Sequence, residues 1–321
     1  MIRFLSRRVL HAFVILLLIS VLSFVFFQFA PGSYTDAMRL DARVSAETES
    51  AWRTMYGLDQ SVLTKYFRWM RSVLRGDFGF SFAYGIPVSS LLWPRIRNTL
   101  LLTSVALLVS WSAALGIGAL TVVRRSRAVE SVIRSSMALL LSIPDLLIAL
   151  LLLLFALRTG LFPVGGMASL GTAHTVIAHT KDVALHLVLP ALALALLSLP
   201  LLVRHVQAAV RESMCAPFVQ AARAHGIPAG RLWLAYILPA AANPLISLFG
   251  YSVGGLLSSS LLVEVIMGWP GLGPLLLESI FSRDVHVVIG TTVLSALFLI
   301  AGNLVADLLL YAVDPRIRWE Q

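Results

Sequence analysis

The chain has 321 residues, of which 58% are hydrophobic and only 13% charged, with a formal net charge of +9; soluble domains carry about 25% charged residues. So much apolar surface excludes a water-soluble globule, and basic residues scattered in short segments between hydrophobic runs exclude a nucleic-acid-binding stripe. The single cysteine, Cys215, excludes an internal disulfide and a CxxC metal site, and neither lysine, Lys65 or Lys181, follows a glycine, which excludes a phosphate-cradling P-loop.

The first apolar run, residues 9–29, carries no charge and follows Arg3, Arg7 and Arg8. It reads as a signal anchor, because a cleaved signal peptide has a shorter core of roughly 7–15 residues and a small-residue cleavage site. The next segment, up to residue 97, is too long and too patterned for a connector. Ser45 as N-cap, Glu47 and Glu49 in the first turn and Gly57 as stop predict one helix there. A second helix is predicted over 60–75, where Val62, Leu63, Tyr66, Phe67, Met70, Val73 and Leu74 recur at helical spacing among Lys65, Arg68, Arg71 and Arg75. It suits packing on the bundle or the lipid surface, or docking of an external partner.

Further runs over 98–123, 135–157, 183–203, 240–263 and 285–306 complete six spans, each long enough at 1.5 Å per residue to cross a core of about 30 Å. With the amino end inside, the inner segments hold Arg3, Arg7, Arg8, Arg124, Arg125, Arg127, Arg134, Arg204, Arg211, Arg223, Arg231, Arg316 and Arg318. The two short outer loops hold only Arg158, Lys181 and Arg283. The positive-inside rule therefore predicts both termini on the cytoplasmic side.

Residues 204–238, between the fourth and fifth spans, are too rich in helix formers for a bare loop. A helix is expected over 212–224 with a break or a start at Pro217, a stop at Gly226, a turn at Pro228 and Gly230, and a short return helix ending at Pro239. Such an elbow would project into the cytoplasm. Ala221, Ala222 and Ala224 would allow close backbone approach, while Arg223 and His225 supply polar contacts; tight internal packing is the competing reading.

Polar residues in the spans carry two readings each. Asp145 lies inside the third run, where an ionised carboxylate needs water or a partner, so it faces another helix, cytoplasmic water or a pathway, where it could contact a substrate amine. Glu264 is expected to touch an external partner protein, to hold an outer gate or to cap the turn at 268–273. Asp307 is expected to pair with Arg316 or Arg318, Asn243-Pro244 to open the fifth span, and Gly250 with Gly254 to form a face for close helix approach. His174, His179 and His186, spaced five and seven apart, read as ordinary outer-loop histidines, and no metal site is expected. No Gly-x-Ser-x-Gly elbow or zinc-protease motif suggests a membrane hydrolase.

Gln220-Ala221-Ala222, then Gly226, then Leu238-Pro239 resembles the EAA loop of ABC importer permeases, with Gln220 in place of the glutamate and Tyr236 at an isoleucine position. Other motifs extend the resemblance. Arg7-Arg8 and Ala30-Pro31-Gly32 resemble the first span and its exit in the dipeptide, oligopeptide and nickel branch. Gly57-Leu58-Asp59-Gln60, Arg75-Gly76-Asp77-Phe78-Gly79, Phe162-Pro163-Val164-Gly165-Gly166 and Leu189-Pro190-Ala191 follow in order, as do Glu264 and Gly268-Trp269-Pro270-Gly271-Leu272-Gly273. Asn303, Asp307 and Asp314-Pro315-Arg316-Ile317-Arg318 resemble the branch's ending.

The resemblance implies an all-α membrane protein with six transmembrane helices and the type I ABC importer permease (MetI-like) fold, in a bacterial plasma membrane. Its implied divisions are an N-terminal end and first span (1–30), an extracytoplasmic helical segment (31–97), a five-helix core (98–312) containing a coupling loop at 204–239, and a cytoplasmic tail (313–321). The implied function is a non-catalytic permease subunit of a peptide importer. Its partners would be a second homologous permease, two cytoplasmic ATPases that use ATP and Mg, an extracytoplasmic binding protein and the lipid bilayer, with no nucleic acid and no cofactor on this chain. ATPase coupling would fall to Gln220, Ala221, Ala222, Arg223, His225, Gly226, Leu238 and Pro239. Asp145, Glu264 and Trp269 are the pathway or gate candidates. The alternative is a self-sufficient secondary transporter driven by an ion gradient, whose marks are related halves and paired broken helices.

Overall fold

A computed structural model describes residues 2–29, 60–124, 126–169, 171 and 175–313. The expected helix over 45–57, His174, and Arg316 and Arg318 as partners for Asp307 lie outside these residues. In chain order the elements are α1 (Ile2–Phe29), α2 (Val62–Val73), β1 (Phe80–Ser81), β2 (Ile86–Pro87), α3 (Val88–Arg124), α4 (Arg127–Ser142) and α5 (Asp145–Thr159). There follow α6 (Val176–Cys215), α7 (Pro217–Ala224), α8 (Ala229–Leu232), a π-helical turn (Trp233–Ile237), α9 (Leu238–Ile266), α10 (Leu272–Phe281) and α11 (Val285–Val313).

Five of these helices are long and apolar enough to cross a membrane, and α4 with α5 makes a sixth as a pair bent by 100°. The third span, expected over 135–157, is thus a broken one. Pro144 is the reason: it disfavours helical geometry in the residue before it, and Ile143 is extended at φ −88°, ψ 124°. Pro144 then serves as the N-cap of α5, so Asp145 opens a helix instead of lying within one.

The chain divides into two units. One contains residues 99–269 and 299–321, and its most buried helix is α6, with 56% of its apolar window covered. This helix starts at Val176, earlier than the predicted span, because Thr175 caps it by accepting the Ala178 N–H. His179 and His186 are consequently helical, not loop residues, and His186 is buried with Nδ1 2.8 Å from the Asp182 carbonyl. Helix α3 meets α6 at Gly118, where a Cβ would stand 2.6 Å from Val206 Cγ1. Beside that contact Gln207 donates to Thr121 Oγ1 at 2.9 Å, and Arg211 pairs with Glu130 at 2.6 Å.

Helices α9 and α11 approach closely through small residues. A Cβ on Gly250 would meet Ala306 at 2.5 Å, one on Gly254 would meet Leu299 at 3.3 Å, and one on Gly302 would collide with Val253. The face expected from Gly250 and Gly254 is a helix contact. Pro244 lies inside α9 and does not open it; the opening turn holds Pro239.

The second unit contains residues 2–98 and 270–298. Ser61 starts α2 by accepting the Thr64 N–H, and Tyr66 and Trp69 pack it on α1: Tyr66 Oη lies 2.9 Å from Ser20 Oγ, and the Phe24 and Tyr66 rings meet edge-on at 5.5 Å. Strands β1 and β2 pair antiparallel, Phe80 opposite Pro87 and Ser81 opposite Ile86. Gly290 of α11 lies against Leu92, Val88 and Phe78.

Candidate functional site

The elbow between α6 and α9 is built by three breaks. After Cys215 the backbone turns extended at Ala216, and Pro217 takes the first position of α7, where its missing N–H costs nothing. Of the two readings of Pro217, it is the start. Gln220 donates its side-chain amide to the Cys215 carbonyl at 2.9 Å, tying α7 back to the end of α6. The stop is a Schellman closure: the Ile227 N–H reaches Ala222 O at 3.2 Å and the Gly226 N–H reaches Arg223 O at 3.0 Å, with Gly226 at φ +74°.

The return helix does not end at Pro239. The chain is helical from Ala229 to Ile266, through α8, the π-turn and α9. The π-turn absorbs the proline, since the Leu238 N–H bonds to Trp233 O, five residues back, immediately before the residue that has no N–H to give.

One face of this elbow is sealed. Val219 is 0% exposed, Ala222 7%, Leu232 5% and Ile237 0%, and they share an apolar cluster with Ala114, Val206 and Ala241 of α3, α6 and α9. Tyr236, at the position where the resemblance expects isoleucine, packs half-buried on that cluster. The other face is open: Phe218, Gln220, Ala221, Arg223, Ala224, His225, Gly226, Leu238 and Pro239 are exposed. His225 turns its Nδ1 to the Ala221 carbonyl at 2.8 Å, so its ring lies along α7. Every expected coupling residue is therefore exposed except Ala222, which anchors α7 to the apolar cluster.

The pathway candidates separate. Asp145 is exposed at the bend between α4 and α5. Glu264 and Trp269 are both fully buried, Trp269 in a cluster with Leu102, Ala106, Leu194 and Val263. They are joined through the main chain, where Trp269 N–H bonds to Glu264 O at 2.9 Å and Gly268 sits at φ +63°, a second Schellman end. The 162–166 loop docks here: Gly166 N–H donates to Met267 O at 3.2 Å, and a Cβ on Gly165 would stand 3.0 Å from that same oxygen. These two glycine motifs, about 100 residues apart in sequence, close on each other.

Sequence reasoning missed a third cluster at the β-hairpin. Asp284, 1% exposed, accepts from Ser81 Oγ at 2.6 Å, from the Ala83 N–H at 3.1 Å and from the Val287 N–H at 3.4 Å. Tyr84 donates its hydroxyl to Glu278 at 2.5 Å. Burial, then the hydrogen bond to Glu278 and its charge, push Tyr84 up to about 12. No local pattern announces these pairs; the only hint is Asp284 ahead of an apolar helix, an N-cap spacing.

Comparison with known proteins decides the family. Residues 106–319 match the model of the binding-protein-dependent transport system inner membrane component, and residues 1–103 match the N-terminal model of the same membrane component. The chain belongs to this family. The oligopeptide transport system permease protein AppB of Bacillus subtilis (strain 168) is 33% identical over 318 residues, covering 98% of this chain and 99% of the relative. OppB of Mycobacterium tuberculosis (strain ATCC 25618 / H37Rv), also an oligopeptide permease, is 33% identical over 324 residues, covering 99% of both chains. The dipeptide permease DppB of Escherichia coli (strain K12) is 28% identical over 339 residues, covering 99% of both chains.

Solved structures carry the fold. A chain of the inward-facing MetNI methionine ABC transporter superposes with TM-score 0.56 at 19% identity, over 70% of this chain and 96% of that one. A chain of an amino acid ABC transporter with histidines gives 0.54 at 18%, over 70% of this chain and 94% of that one. The permease is thus a multi-pass membrane subunit with the type I importer permease fold, and the secondary-transporter alternative is set aside.

Proposed function

We propose that this permease forms half of the pathway of an ATP-driven peptide importer, beside a second homologous permease, with an extracytoplasmic binding protein delivering substrate. The substrate class rests on the relatives, which are oligopeptide and dipeptide permeases. Two cytoplasmic ATPases dock on the elbow, and the hydrolysis of ATP with Mg belongs to them. The elbow and both termini lie on the cytoplasmic side, a reading supported by the arginine distribution.

The observation that carries this reading is the two-faced elbow. Its open side offers an alanine-lined helix edge, Ala221 and Ala224, flanked by Arg223 and His225, onto which another protein's groove can close. Its sealed side shares one apolar cluster with α3, α6 and α9. A displacement of α7 is therefore passed to three spans as a rigid body, the kind of transition that packed helices support. Asp145 lines the pathway and meets the free amine of a peptide there, a reading supported by its exposure at the bend of the α4–α5 span.

Reconstitution tests the reading. Uptake is expected only when both permeases, the ATPases, the binding protein and ATP are present. Peptide uptake by this chain alone, in ATP-free vesicles under an ion gradient, would overturn it.

A further inference from the structure

Helix α2 has twelve residues, too few to cross a bilayer. From Ser61 to Arg75 the sequence contains Lys65, Arg68, Arg71 and Arg75 and no acid. One edge of the helix is settled by contacts: Trp69 is 5% exposed, and Tyr66 meets Ser20 and Phe24 of α1. Those two partners also fix its depth. Both lie within the apolar span Ser6–Phe26, and Ser20 is less than two turns, about 9 Å, from the end of that span.

At this level α1 is covered by little of the protein among the described residues. Leu18, Leu22 and Phe26 are more than half exposed, and only 6% of the apolar window of α1 is buried. An apolar surface of this kind suits acyl chains, and α2 lies alongside its last turns. The free edge of α2 matches that environment. Leu63, Phe67 and Leu74 are 70%, 67% and 78% exposed and fall on one stripe at 100° per residue. Beside them Arg68, Arg71 and Arg75, all exposed, follow i, i+3, i+7 spacing along the neighbouring row.

An apolar stripe beside a row of guanidiniums, held at the rim of a span, has the composition of a helix lying in the membrane interface. We propose that α2 lies in the bilayer interface at the C-terminal end of α1 and that Arg68, Arg71 and Arg75 bind the phosphates of anionic lipid headgroups. Lipid satisfies both halves of the surface at once: acyl chains cover Leu63, Phe67 and Leu74, and headgroup oxygens meet the arginines. A water-soluble partner would have to seat its surface at the depth of the α1 span, where the solvent is hydrocarbon.

The test uses the full chain with Cys215→Ser and a fluorophore on Phe67→Cys, in vesicles carrying nitroxide-labelled phosphatidylcholine or phosphatidylglycerol at equal mole fraction. Both lipids are expected to quench the label more than aqueous iodide does. The association constant for phosphatidylglycerol should be about fivefold or more above that for phosphatidylcholine, and Arg68→Gln, Arg71→Gln, Arg75→Gln together should bring the ratio to one. Iodide quenching without lipid quenching would make α2 a water-facing docking surface and overturn the proposal. Equal constants for the two lipids in the unsubstituted row would overturn the headgroup assignment without reference to the triple variant.

Discussion

The elbow and the hairpin corner are held in opposite ways. In the elbow, apolar anchors and main-chain caps do the holding, and the side-chain bonds found there, Gln220 to Cys215 O and His225 to Ala221 O, reach five and four residues back. In the corner, side chains reach across the sequence: Ser81 and Asp284 are 203 residues apart, Tyr84 and Glu278 194. A surface kept free for a partner needs its shape fixed from beneath. In the corner the Ser81–Asp284 bond is buried, and that low-dielectric setting strengthens it and makes it costly to break.

The sharpest break of this contrast is Asp284→Ala. It strands the buried Ser81 hydroxyl and the buried Val287 N–H, and a loss of about 2–4 kcal/mol is expected. Thermal unfolding of the purified chain should show it. A loss no larger than that of any elbow substitution would erase the distinction.

Gly226→Trp is next, and its main effect is on assembly. A non-glycine residue at φ +74° costs about 1–2 kcal/mol, while nothing lies within 4 Å of a Cβ built there, so insertion should survive. The bulky ring would stand on the open face, and co-purification of the ATPases should be lost. Normal co-purification would move the docking site elsewhere.

Tyr84→Phe removes one half-exposed bond and should cost roughly 0.5–1 kcal/mol. Its signature is in the pH dependence. The folded-state value, about 12, exceeds the ordinary 10.0, so the contribution is complete below pH 10 and is lost as pH rises through the interval up to 12. The unsubstituted chain should therefore lose stability over that interval more steeply than Tyr84→Phe, and parallel curves would dissolve the Tyr84–Glu278 link. Smallest in stability is Asp145→Asn, expected within about 0.5 kcal/mol. In the reconstituted importer it should weaken uptake of free-amino peptides more than of amine-blocked ones, and equal loss for both would remove Asp145 from substrate contact.

Much of the elbow was legible in the sequence because its determinants are local. Pro217 can start a helix, Gly226 can end one, and both signals sit beside the residues they govern. The spans were legible from hydropathy, but hydropathy counts composition and not continuity, so the break at Pro144 hid inside an apolar run. Pro239 misled in the other direction: the π-turn before it lets the helix pass through. The corner was invisible, since a two-residue strand pair carries too little periodicity and Asp284 finds Ser81 only after folding. Trp269 and Glu264 were legible as a motif, though their burial at and just beyond the end of α9 was not.

The most direct measurement of the coupling role is cysteine cross-linking in the active, reconstituted complex. In a Cys215→Ser background, cysteines would replace Ala221, Ala222 and Ala224 one at a time and be treated with a short thiol-to-amine reagent. Cross-links to the ATPase are expected from the exposed positions Ala221 and Ala224, changing in yield when ATP is added, and none from the anchoring Ala222. An ATPase that cross-links to none of the three while uptake proceeds would contradict docking at the elbow.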